Sequence, residues 1–150
     1  MDRLRHAGLW VVTAESCTAG LIAAVLSYGT SASDCLHGGF VVYTKTQKIA
    51  ALGVEEAILR ERGSVNAIVA RQMAEGALRR SRATMALSVT GVLGQEPDED
   101  NNSPGLVYLG LARSGRPTTT VPHRFEKLHP EAVRKAAVLR AFEMLLRAID

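Results

Sequence analysis

The sequence predicts an α/β domain in three layers, with helices on both faces of one mixed sheet. Three observations predict it. Apolar, β-branched runs alternate along the chain with longer segments of helical period. Breaks rich in glycine, serine and proline separate them. Two adjacent strand-like runs, LVYLGLA and TTTVPHRFE, are joined by the turn RSGRP. Alternation of strand and helix favours parallel strands, and the hairpin adds antiparallel pairing. At 150 residues the chain has the length of one domain, 1–150.

Each element follows from local pattern. Trp10 to Thr13 is a short apolar strand, and TAGLIAAVLSY, Thr18 to Tyr28, has the length and composition of a buried helix. GTSASD reads as a loop, and GGFVVY, Gly38 to Tyr43, as a second strand behind two glycines. Helical segments are expected at Thr46 to Leu52, Val54 to Arg62, and Val65 to about Arg80, with Ser64 or Asn66 able to cap the last. MALSVTGV, Met85 to Val92, is a third strand ending in Thr-Gly. The acidic LGQEPDEDNNSPG that follows reads as a surface loop. After the hairpin, Pro130 suits the first turn of an amphipathic helix that runs to Ile149.

Composition narrows the function classes. Hydrophobic residues make up 47% and charged residues 22%, as in a soluble globular domain, and no apolar run has membrane-spanning length. The N-terminal MDRLRHAGLW lacks the apolar core of an export signal, so a cytoplasmic protein is expected. A formal charge of +3 is modest, and the densest basic cluster, RRSR at Arg79 to Arg82, suits a helix C-terminus better than a nucleic-acid footprint. Neither a nucleic acid nor a membrane is expected as partner. Cys17 and Cys35 have neither metal-site nor redox spacing and read as reduced, buried thiols. Glu96, Asp98, Glu99 and Asp100 lack a Ca²⁺-loop pattern and read as a solvated loop, so no metal is expected. A homo-oligomer is expected from the apolar content.

In sheets of this class, ligands gather where parallel strands end. That singles out Glu15 to Gly20, Tyr43 to Lys48 and Thr90 to Gly94. Ser16 stands where the first strand gives way to a helix, a place that exposes a hydroxyl beside unpaired N–H groups; a helix cap by Ser16 or Thr18 is the plainer alternative. Lys48 follows Tyr43 just past the second strand and could act as a base if burial depressed its pKa, or could be an ordinary surface residue. Glu15 could orient that lysine or favour the helix N-terminus. Thr90 and Gly91 could approach a phosphate closely or form an ordinary turn.

Taken together, TAESCTAGLIAA, GGFVVYTKTQKIAALGV, RGSV, VARQMAEGA and SVTGV occur in an order and spacing that resembles the C-terminal domain of the competence/damage-inducible protein CinA, from about Leu9 onward. Stand-alone versions of that domain are nicotinamide-nucleotide amidohydrolases. The resemblance implies a three-layer α/β/α fold with a five-stranded mixed, mostly parallel sheet. It also implies hydrolysis of the nicotinamide amide of nicotinamide mononucleotide to nicotinic acid mononucleotide and ammonia, in pyridine nucleotide salvage, with no cofactor and a small-molecule nucleotide as partner. Ser16 takes the place of the family's nucleophile, Lys48 that of its base, and Tyr43 that of the base's neighbour. Glu15, Thr18 and Gly20 fall in the same block as Ser16 on the substrate side, and Thr90, Gly91 and Arg134 fall where phosphate would be held. This chain departs from the family by Ala19 for a glycine, Lys45 for an asparagine, and a rebuilt segment from Leu93 to Gly105. A non-catalytic nucleotide-binding or regulatory module on the same fold is the alternative function.

Overall fold

A computed structural model of the chain describes residues 1–149. Its elements are α1 (Asp2–His6), β1 (Val11–Glu15), α2 (Leu21–Ser27), α3 (Ala32–Cys35), β2 (Leu36–Val41), α4 (Lys45–Leu52), α5 (Glu56–Arg62), α6 (Ala67–Arg79), β3 (Met85–Gly91), β4 (Leu106–Arg113), β5 (Arg116–Arg124) and α7 (Pro130–Ile149). One sheet has the order β2-β1-β3-β4-β5. Strands β2, β1 and β3 are parallel, while β4 runs against both β3 and β5. Four of the five strands therefore point the same way, which is the mixed, mostly parallel sheet expected.

The chain leaves β1 for β2 on one side and returns past β1 to reach β3 on the other. Right-handed crossovers in opposite directions put their helices on opposite faces. The two cores bear this out. Val11, Met85, Leu87, Val89 and Leu109 pack with α2 and α7 on one face, through Ile22, Val133, Ala137 and Ala141. Val12, Ala14, Ala86 and Ala112 meet α4, α5 and α6 on the other, through Leu52, Leu59, Val69, Met73 and Ala77. β1 is buried at all five positions because both faces are covered. Reversal of direction between β1–β2 and β1–β3 opens a crevice at the carboxyl end of β1.

Close approach of α6 depends on missing side chains. A Cβ on Gly76 would overlap the Leu52 carbonyl oxygen, and one on Gly110 would stand 2.6 Å from the Ala70 carbonyl oxygen. Pro122 sits inside β5, opposite Tyr108, in a register that runs unbroken from Leu106 to Leu111. Its missing N–H therefore falls on the outer, unpaired side of the edge strand.

Several boundaries differ from the sequence expectation, each for a local reason. β1 begins at Val11 and extends to Glu15, because Glu15 is in register with Val41 and Val89 on either side. The helix expected from Thr18 begins at Leu21, since Ala19 (φ 53°) and Gly20 (φ 95°) form a left-handed turn ahead of it. β2 is Leu36–Val41 instead of Gly38–Tyr43, and the short α3 begins within the expected GTSASD loop. α5 starts at Glu56, two residues later than expected. A short α1 precedes β1, where no element was expected. Asn66, not Ser64, caps α6: its Oδ1 accepts from the Val69 amide at 3.0 Å. The hairpin forms as expected, with Gly115 at φ 75° in its turn. Arg79 closes α6 with Arg80 at its C-cap, as suits a cationic helix end. Cys17 and Cys35 are buried and unpaired. Among the described residues no helix is long and apolar enough to cross a membrane.

Candidate active site

Three parallel strands end together, and the residues just beyond them form a cleft of about 340 Å³. Ser16 comes first. Its amide donates to the Val89 carbonyl at 3.0 Å, which holds the serine to the end of β3, and only 6% of the residue is exposed. The chain then turns sharply into α2, and the Glu15 carboxylate holds that turn. Oε2 accepts from Thr18 Oγ1 at 2.7 Å and from the Gly20 and Ile22 amides at 3.0 Å each. Oε1 accepts from the Ala23 amide at 2.8 Å. Four donors satisfy a carboxylate that is otherwise fully buried.

Glu15, Thr18 and Gly20, expected on the substrate side, are not among the residues that line the cleft; together they build the turn that presents Ser16. Glu15 does not orient Lys48 either. The amides of Ala19 and Leu21 are likewise committed, to the Ser16 and Thr18 carbonyls. The Cys17 and Thr18 amides take no part in these bonds.

Lys48 arrives from the second strand. Thr44 caps α4, its Oγ1 accepting from the Gln47 amide at 3.1 Å, and this places Lys48 in the first turn with its side chain directed inward. Only 1% of Lys48 is exposed. Nζ lies 3.0 Å from Ser16 Oγ and donates to the carbonyls of Val42 and Tyr43, both at 3.2 Å. The Val42 amide in turn donates to the Glu15 carbonyl at 2.8 Å, tying the two strand ends together. Burial disfavours the ammonium and, with a smaller contribution from the charge of Lys45, brings the Lys48 pKa down to about 8. Tyr43 contributes its carbonyl to this arrangement, while its ring, 67% exposed, stands at the cleft mouth. Cys17 also lines the cleft, but burial pushes its thiol up to about 12, far from a nucleophilic thiolate.

Thr90 and Gly91 line the far side. The Thr90 hydroxyl donates to the Ser64 carbonyl at 2.9 Å. A Cβ at Gly91 would stand 2.8 Å from the Leu106 carbonyl oxygen, so the glycine makes room for β4. Arg134 is exposed on α7 and lies outside the residues that line the cleft, although its charge is felt at Cys17.

The acidic loop has a role that its surface character did not reveal. It lies at the surface as expected, with Glu96 and Glu99 exposed, and in addition Glu96, Asp98, Glu99 and Asp100 form a wall of the cleft. Lys45 Nζ donates to Asp100 Oδ1 at 2.6 Å and pairs with Glu99 Oε1 at 3.0 Å, contacts that raise the lysine pKa, Asp100 first. The Ser64 amide donates to Asp100 Oδ2 at 3.0 Å, and Asp98 Oδ1 accepts from the Asp100 and Asn102 amides. Gly63, at φ 71°, leaves the space into which Asp100 fits. Among the described residues no group of three or more His, Cys, Asp or Glu could hold a metal.

A family model described as the CinA C-terminal domain matches residues 1–149. The chain is 38% identical over 147 residues to a CinA-like protein of Rippkaea orientalis, covering 97% of this chain and 35% of that protein. A CinA-like protein of Geobacter sulfurreducens is 37% identical over 146 residues, with 97% and 35% covered. The chain thus spans about a third of the length of these curated relatives. Among solved structures, it is similar to the competence/damage inducible protein CihA of Agrobacterium tumefaciens, with a TM-score of 0.93, 38% identity, and 99% of this chain and 89% of that one covered. A CinA superfamily protein of Escherichia coli is also similar, with a TM-score of 0.93, 32% identity, and coverage of 98% and 84%.

Proposed function

The chain belongs to the CinA C-terminal domain family, and on that footing we propose that it is an amidohydrolase, releasing ammonia from the nicotinamide carboxamide of a pyridine nucleotide in cytoplasmic salvage. Nicotinamide mononucleotide is the substrate that the family resemblance supplies, with nicotinic acid mononucleotide as product. One observation supports the reading above others: a buried lysine amine stands 3.0 Å from a serine hydroxyl in an open cleft.

The proposed steps use only groups already in place. With a pKa of about 8, roughly a tenth of Lys48 is neutral at pH 7. A neutral amine has two N–H groups and one lone pair. The Val42 and Tyr43 carbonyls take the two N–H groups, so the lone pair faces the Ser16 hydroxyl. Lys48 accepts the hydroxyl proton as Oγ attacks the carboxamide carbon. Backbone N–H groups at the turn after Ser16 steady the oxyanion. Lys48 returns the proton to the departing ammonia, leaving an ester on Ser16. Water, deprotonated by the same lysine, cleaves that ester to the carboxylic acid and restores the serine. Cys17 does not compete, since its thiol stays protonated.

The test is direct. Purified protein is incubated separately with nicotinamide mononucleotide and nicotinamide riboside, and ammonia and deamidated product are measured. Product from either supports an amidohydrolase; none from both ends that reading. A second reading, a nucleotide-binding or regulatory module without turnover, is favoured by the acidic loop lying on the cleft, and binding without ammonia release would support it.

A further inference from the structure

Resting on the amidohydrolase reading, we infer that the acidic wall of the Ser16–Lys48 cleft selects for the pyridinium cation and against phosphate, so that nicotinamide riboside is a better substrate than its 5′-phosphate. Four carboxylates, those of Glu96, Asp98, Glu99 and Asp100, share the cleft with the serine and the lysine. Lys45, the cation paired to that wall, already holds Asp100 at 2.6 Å and Glu99 at 3.0 Å. Lys48 is buried, committed to Ser16 and two carbonyls, and depressed in pKa. A bound phosphate would meet more negative than positive charge.

The wall is held in place. Ser64 fixes Asp100 through its amide, and Asp98 is the acceptor for two amides of its own loop. Swinging it away breaks the Lys45 pair and those loop bonds. Of the residues expected to hold phosphate, Thr90 spends its hydroxyl on the Ser64 carbonyl, Gly91 has no side chain to offer, and Arg134 is not among the residues that line the cleft, although its charge reaches Cys17. A phosphate monoester carries about two negative charges at neutral pH, whereas the nicotinamide ring of both compounds carries one fixed positive charge. Riboside is therefore a net cation and the mononucleotide a net anion, and a wall of one sign discriminates between them.

The experiment compares kcat/KM for the two compounds at low ionic strength, together with their binding to Ser16→Ala by calorimetry, which reads preference without turnover. The riboside is expected to be favoured at least tenfold in both. Added salt shrinks that margin, because exposed charges are screened. The double variant Glu96→Gln/Glu99→Gln, at two exposed side chains, shifts the ratio at least threefold toward the mononucleotide. Equal or better use or binding of the mononucleotide overturns the inference and leaves the amidohydrolase standing. Tighter riboside binding without ammonia from either compound supports the charge selection and sinks the amidohydrolase. Binding of neither compound overturns the inference, as does a loss of mononucleotide turnover alone in Arg134→Ala.

Discussion

Lys48 Nζ stands 3.0 Å from Ser16 Oγ although 32 residues separate them in the chain. Their meeting follows from the parallel pairing of β1 with β2, which brings the two strand ends side by side. Ser16→Ala removes the proposed nucleophile and should lower ammonia release by about 10³-fold or more. Lys48→Met should do the same. Both variants should retain the wild-type far-ultraviolet circular dichroism spectrum; turnover within tenfold of wild type in either would remove that residue from the chemistry.

The depressed Lys48 sets the pH dependence. As a base it works only when neutral, so kcat/KM should rise with pH and level off above about 8. A profile that is flat from pH 6 to 9 would show that no group of that pKa governs the reaction.

Stability should carry the same signature. The folded pKa, about 8, lies below the value near 10.4 of an unfolded lysine. Between those values the unfolded chain binds a proton that the folded chain has released, so this group makes the protein more stable as pH rises. Lys48→Met lacks the group, and its Tm relative to wild type should therefore fall between pH 7 and pH 10. A Tm difference that does not change with pH would contradict the burial of a titrating amine.

Glu15 is a structural residue in this fold. Glu15→Ala leaves the hydroxyl of Thr18 and the amides of Gly20, Ile22 and Ala23 without their shared acceptor. Urea unfolding should show a loss of about 3 kcal/mol or more, since each stranded buried donor costs about 1 to 3 kcal/mol. A stable Glu15→Ala protein with only a raised KM would return Glu15 to the substrate side.

Gly76 opposes a general rule. Alanine is favoured over glycine in a helix interior by about 1 kcal/mol. Here a methyl group would strike the Leu52 carbonyl oxygen, an atom of the backbone that cannot swing aside. Gly76→Ala should therefore destabilise by about 1 to 3 kcal/mol, the cost of overpacking, as measured by thermal unfolding; a gain in Tm would mean that α4 and α6 can part freely.

Much of this architecture was legible in the residues. Periodicity located all five strands and the long helices, because β1 and β3 are short apolar runs buried on both faces while α6 repeats its small and apolar residues at helical spacing. Turns with left-handed backbone were harder: Ala19 and Gly20 look like helix, and only the demand of Glu15 for four donors shows why they are not. Ser16, Tyr43 and Lys48 were legible as neighbours because strand ends of one direction share one rim. The acidic loop was legible as a surface segment but not as a wall of the cleft, because its partners are remote. Nothing within Glu96 to Asp100 announces a bond to Lys45, 55 residues before Asp100, or to the Ser64 amide.

Pro122 has a consequence for how copies of this chain can meet. A strand of another molecule laid along β5 would find an acceptor waiting for a hydrogen that a proline ring does not carry. Continuous sheets running from one molecule into the next are blocked at that border, so self-association, where it happens, has to join side-chain surfaces and not backbones, and growth into fibrils has one fewer place to begin.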